Sequence, residues 1–128
     1  KTVRLSDLDG LDVLALAPGH HLHDSVQVLC EEAGAKLRFD FEGTSLDMLR
    51  EMVIMGLGIT FMPGLYVGRE LLNDPDLRVL TIADRPLHRA ISMAWRKTSA
   101  RKAPYQELAG YFKSAVQTLP ELRRMEDA

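Results

Sequence analysis

Three histidines crowd one short stretch, Pro18-Gly19-His20-His21-Leu22-His23. A lone cysteine, Cys30, follows, and two hydroxyls stand together at Thr44 and Ser45. A metal site would need ligands that converge at proper angles. Adjacent histidines diverge, and no carboxylate or thiolate lies around them at a zinc-like spacing, so no metal is expected. The plain reading is a polar loop between a strand and a helix. A second reading sets that loop at a strand's C-terminal end, ahead of a helix N-terminus. Small anionic or polar ligands bind at such places, and a histidine can donate to them. Thr44 and Ser45 carry a similar pair of readings. They are helix caps, or they are hydroxyls that join free N–H groups in holding a carboxylate- or peroxide-sized ligand. Cys30 falls on an apolar helical stripe and reads as a buried small hydrophobe, because no cationic neighbour in sequence favours its thiolate. No G-x-S-x-G, glycine-rich phosphate loop or H-E-x-x-H pattern occurs, so neither an enzyme nor a bound cofactor is expected.

The elements that must position these residues follow from periodicity. Leu11 to Ala17 is nearly all apolar, as in a strand covered on both faces. Pro18-Gly19-His20-His21 breaks it. A helix is expected from about Asp24 to Ala33, with Asp24 as N-cap and Leu22, Val26, Leu29, Cys30 and Ala33 as its apolar stripe. Leu37 to Phe41 alternates apolar and charged, the mark of a half-exposed strand. Thr44 is the expected cap of the next helix, with Asp47 completing a capping box. Leu46, Leu49, Val53 and Gly56 form its inner face, and Gly56 and Gly58 end it. Ile59 to Met62 suits a short buried strand, and Pro63 the first turn of another helix reaching about Leu72. Strands are expected at Leu77–Ile82 and Arg89–Trp95, then a helix from Pro104 whose buried face is Tyr105, Leu108, Ala109, Phe112, Val116 and Leu119. The polar tail beyond it is expected to fray. The order is βαβαβα, then two strands and a helix, which implies crossover units and a mostly parallel sheet.

The totals set bounds. The chain has 128 residues, 46% hydrophobic and 27% charged, with a formal charge of −2, so it should fold and stay soluble. It has no basic cluster large enough to grip nucleic acid by itself, and no apolar run long enough to span a membrane. One cysteine excludes an intrachain disulfide and fits a reducing cytoplasm. Lys1 stands where a methionine would start a chain, which fits the removal of an upstream part.

The stretch from Pro18 to Leu65 resembles the effector-binding domain of LysR-type transcriptional regulators, bacterial proteins. The block Thr44–Pro63, T-S-L-x-x-L-R-x-M-V-x-x-G-x-G-I-T-x-x-P, carries the general likeness. Gly19-His20-x-Leu22-x-Asp24, then Cys30 and Ala33-Gly34-Ala35, resemble the OxyR-like, peroxide-responsive branch. The resemblance implies an α/β, periplasmic-binding-protein-like domain of two lobes with a small effector in the cleft. Residues 1–86 would be the second lobe. Residues 87–128 would be a strand, helix and tail returning to a first lobe that is largely missing here. Pro18, Gly19, His20, His21, Thr44 and Ser45 would line this lobe's half of the cleft, with His20 as donor. DNA would be bound through an upstream helix-turn-helix absent from this chain, in a cytoplasmic homodimer or homotetramer. The alternative is a free-standing solute-binding protein of the same fold.

One departure matters. In the peroxide sensors the reactive cysteine directly follows the Gly-His pair, and a second follows nine residues later. Here His21 holds the first position and Cys30 the second. His23 corresponds to the basic residue that supports the reactive thiol. The likeness therefore implies architecture and gene regulation but not the intramolecular disulfide, and leaves Cys30 as a redox candidate only through another chain or the missing part. Ile91, Met93 and Trp95, with the last helix, would lack their first-lobe partners. A second copy or an exchanged element is expected to cover them.

Overall fold

The structure, a computed structural model, describes residues 1–87 and 91–118. In chain order its elements are β1 (Thr2–Val3), β2 (Asp12–Leu16), α1 (His21–Ala33), β3 (Lys36–Gly43), α2 (Leu46–Ile54), β4 (Ile59–Thr60), α3 (Gly64–Tyr66), β5 (Thr81–Ile82) and α4 (Lys102–Val116). A short 3-10 turn, Leu5–Leu8, precedes β2, and a wider helical turn, Val67–Leu71, prolongs α3. The chain divides into two compact units, Lys1–Leu87 and His88–Ala128.

β2 is the axis of the first unit. It lies between β3 and β4 and runs parallel to both. Its run Val13-Leu14-Ala15-Leu16 is buried because successive side chains point to opposite faces and each face is covered. Val13 and Ala15 pack with Val26 and Cys30 of α1. Leu14 and Leu16 pack with Leu49 and Met52 of α2. The two helices therefore lie on opposite faces of the sheet. Leu14, Leu49, Val13 and Val26 are fully buried, each worth about 1.5–3 kcal/mol of transfer free energy. β1 and β5 form a separate parallel pair, Thr2 with Thr81 and Val3 with Ile82.

Several sequence expectations change. α1 starts at His21, with His20 as N-cap, rather than at an Asp24 cap. The His23 N–H already donates to the His20 carbonyl at 2.8 Å, closing a turn earlier. Ser45, not Thr44, caps α2. Of the two glycines expected to end that helix, only Gly56 takes the left-handed conformation, at φ +77°. Gly58 serves a different need, since a Cβ there would lie 2.6 Å from the Asp12 carbonyl oxygen.

The strands change too. The alternation in Leu37–Phe41 fails because β3 bulges between the pairs Val13–Leu37 and Ala15–Glu42, and a bulge re-aims the residues after it. Leu37 packs beside Val13, Phe41 on the opposite face beside Leu14, and Phe39 is 66% exposed. Ile59–Met62 pairs only over Ile59–Thr60 and is half-buried. Leu77–Ile82 pairs only at Thr81–Ile82, because β1 offers two residues.

In the second unit, residues 91–95 form no strand, as no described strand pairs with them. Arg89 and Ala90 lie outside the described residues. α4 begins at Lys102, with Pro104 inside its first turn, and ends at Val116. Its expected apolar face is not buried: Tyr105, Ala109 and Val116 are half-buried, while Leu108 and Phe112 are exposed. Trp95 and Tyr105 meet in a tilted ring contact with centroids 6.2 Å apart. Leu119 and the tail lie outside the described residues.

Candidate functional site

Two loops leave one edge of the three-stranded sheet side by side. Leu16 at the end of β2 pairs with Gly43 at the end of β3, and the Ala17 N–H donates to the Gly43 carbonyl at 3.0 Å. Because the strands are parallel, both loops emerge at their C-terminal ends. Pro18–His21 runs into the start of α1, and Thr44–Ser45 into the start of α2. Each start presents N–H groups that the helix itself leaves unpaired. α1 and α2 diverge to opposite faces from these neighbouring strands, the arrangement that opens a ligand crevice in α/β sheets.

All six residues expected at the site, Pro18, Gly19, His20, His21, Thr44 and Ser45, are exposed. The His20 side chain makes no cap bond, which leaves its ring available to a ligand. His21 lies within α1, not in a loop. Its Nδ1 is 3.4 Å from the Ser25 hydroxyl oxygen, and that hydroxyl donates to the His21 carbonyl at 3.1 Å. Ser45 Oγ accepts the Met48 N–H at 3.1 Å, while the Thr44 hydroxyl meets the Met48 sulfur at 3.6 Å.

The start of α2 is pinned from its other side. The Tyr66 hydroxyl donates to Asp47 at 2.5 Å. Burial, with that carboxylate, pushes the phenol up to about 12, so it remains a donor. Arg50 grips one Asp74 oxygen from two nitrogens, at 2.9 and 2.5 Å. That bond holds the Asp74 carboxyl below the ordinary carboxylate range. α2, α3 and the turn after them thus form one braced block beneath Thr44 and Ser45.

His23, which the resemblance matched to the basic residue supporting a thiol absent here, turns inward instead of lying in a polar loop. It is only 6% exposed, and its Nδ1 lies 2.7 Å from the Leu16 carbonyl oxygen. A signal was present: His23 falls at helical spacing with Val26 and Cys30 on the inner face of α1. β4 also ends on the other flank of β2, with Phe61, Met62 and Pro63 half-buried, a neighbour that strand spacing alone did not reveal. Cys30 is 3% exposed among Val13, Ala15 and Val26. Burial first, then the negative charge of Glu31, pushes its thiol up. Among the described residues, no three His, Cys, Asp or Glu side chains converge as metal ligands do.

Comparison with known proteins adds four findings. Residues 1–117 match the family of LysR substrate binding domains. The chain is similar to the hydrogen peroxide-inducible genes activator of Dickeya chrysanthemi, 36% identical over 115 residues, which are 90% of this chain and 37% of that protein. It is also similar to the DNA-binding transcriptional dual regulator OxyR of Escherichia coli K12, 38% identical over 107 residues, 84% of this chain and 35% of that one. Among solved structures, Corynebacterium glutamicum OxyR C206 mutant superposes with a TM-score of 0.67 at 26% identity, covering 92% of this chain and 37% of that chain. The chain thus spans little more than a third of the length of these relatives.

Proposed function

The chain belongs to the LysR substrate-binding domain family, in its OxyR-like group, and from that premise we propose that it is the regulatory portion of a DNA-binding transcription factor. The whole protein would bind DNA through a helix-turn-helix outside this chain and act in the cytoplasm as a homodimer or homotetramer. Residues 1–86 would form one lobe of the effector cleft, and residues 87–128 would contribute to the other. Among the described residues, no helix is long and apolar enough to cross a membrane.

The observation that carries this reading is the pairing of Leu16 with Gly43. It brings Pro18–His21 beside Thr44–Ser45, so a donor imidazole, two hydroxyls and two helix N-termini share one edge of the sheet. A small polar effector, or an oxidant such as the hydrogen peroxide in the relatives' names, would be held there by hydrogen bonds. Its binding would bias the angle between lobes and so the spacing of the DNA-binding parts. The chain's single cysteine permits no intrachain disulfide, and its burial supports a packing role over a thiol switch.

The test is a promoter response of the full-length regulator to hydrogen peroxide, for the natural protein and for His20→Ala and Cys30→Ser. A response weakened by His20→Ala and retained by Cys30→Ser, with both variants folded, supports the reading. An unchanged response in His20→Ala removes His20 from the site. A response abolished by Cys30→Ser shows instead a thiol switch completed by another chain or segment.

A further inference from the structure

We infer that Met48 is a site of oxidation by hydrogen peroxide, and that the Thr44 hydroxyl decides which face of its sulfur takes the oxygen. The chemistry goes beyond the effector reading above, and only its effect on transcription rests on that reading.

Both hydroxyls of the loop after β3 converge on Met48. Its N–H donates to Ser45 Oγ at 3.1 Å, and its sulfur accepts from the Thr44 hydroxyl at 3.6 Å. The residue is nevertheless 44% exposed, so a small solute can reach it. The other described methionines of this unit lack that combination. Met52 is buried with Leu14, Leu16 and Leu49, and Met62 packs half-buried against the same group. Met55 is 66% exposed, but its sulfur has no hydrogen-bond partner among the described residues.

A thioether sulfur is a weak acceptor, and its lone pairs are what a peroxide oxidises. The Thr44 hydrogen bond occupies one lone pair and leaves the other to attack. The S–O bond forms as the O–O bond breaks, with sulfur giving up two electrons. The transferred oxygen passes its proton to the departing one, which leaves as water. Attack through one lone pair makes one sulfoxide epimer in excess. Met55, with nothing bonded to its sulfur, gives both.

Oxidation also changes the start of α2. A sulfoxide is polar where the thioether was apolar, and its oxygen accepts more strongly than the sulfur did. Rotation about the Cγ–Sδ bond brings that oxygen to the Thr44 hydroxyl, which already points at this side chain. Thr44 is then engaged by Met48 and withdrawn from any effector. A reductase of the matching epimer specificity restores the original state.

The test treats the full chain with hydrogen peroxide and reads each methionine by peptide mass spectrometry. The peptides are measured before and after reduction by epimer-specific sulfoxide reductases, used one at a time. Met48 is expected to show one epimer in about threefold excess or more, the weight of one weak hydrogen bond, and Met55 near-equal amounts. Thr44→Val keeps the side chain's shape without its hydroxyl and should bring Met48 to the Met55 pattern. Met48 left unoxidised while Met55 reacts would overturn the inference. So would equal epimers at Met48 in the natural chain, or an excess that survives Thr44→Val. Met48→Leu, a swap of similar volume, carries the test to the promoter response of the full-length regulator. A weakened response to hydrogen peroxide supports the regulatory step, and an unchanged one removes it. A natural regulator without any response would remove that step together with the effector reading, and the epimer ratio would still decide the oxidation.

Discussion

The amide of Met48 donates to the hydroxyl of Ser45 at 3.1 Å, while the adjacent hydroxyl of Thr44 meets only the Met48 sulfur. Two neighbouring hydroxyls therefore do different work. Ser45→Ala removes a helix cap and should cost about 1 kcal/mol. Thr44→Ala should change stability by less than about 0.5 kcal/mol while altering effector binding. Urea unfolding of the two variants checks this, and equal losses would mean that Thr44 shares the cap.

Cys30 packs against Val13, Ala15 and Val26, and its burial raises the thiol's pKa. A disulfide reagent at pH 8 should label it only as fast as the chain unfolds. The folded state favours the neutral thiol. The corresponding stability is full below the unfolded value of about 8.5 and is lost as pH climbs through the higher folded one. Cys30→Ser should cost about 1–3 kcal/mol, since it buries a hydroxyl among apolar groups. Rapid labelling of the native protein would instead show an accessible thiol.

Gly58 allows β4 to approach the Asp12 carbonyl, which a Cβ would meet at 2.6 Å. Backbone cannot yield as a side-chain tip can, so Gly58→Ala should cost about 1–3 kcal/mol. Gly110 is the contrast, because nothing lies within 4 Å of a Cβ there and it sits inside α4. Gly110→Ala should gain about 0.5–1 kcal/mol of helix stability. Opposite shifts in thermal midpoint are the expected result.

Arg50 holds Asp74 ionised. The folded carboxylate titrates below the unfolded value of about 3.9. Its contribution is therefore full above that pH and is lost as pH falls through the lower folded value. In unfolding curves between pH 6 and pH 3, the stability gap between the natural protein and Asp74→Asn should narrow on the acid side. A gap that stays constant would mean that the pair does not survive in solution.

The sequence by itself determined the central strand, the stripe of α1, the inner face of α2 and the parallel order of strand and helix. These are local matters. A nearly all-apolar run such as Val13–Leu16 needs cover on both faces wherever it sits, and Val26, Cys30, Leu49 and Val53 repeat at the spacing of a helix. It also placed these two loops at strand ends, because Pro18-Gly19 and Thr44-Ser45 interrupt apolar runs. Only the tertiary structure decided which hydroxyl caps α2, where β3 changes face, why Gly58 is a glycine and what His23 does. Each of those depends on a group distant in sequence or in register: the Leu16 carbonyl for His23, the Asp12 carbonyl for Gly58, and the pairing of β2 for the bulge that turns Phe39 outward. Periodicity reports which face a side chain occupies. It does not report which backbone oxygen will stand opposite, and that oxygen set the proton on His23.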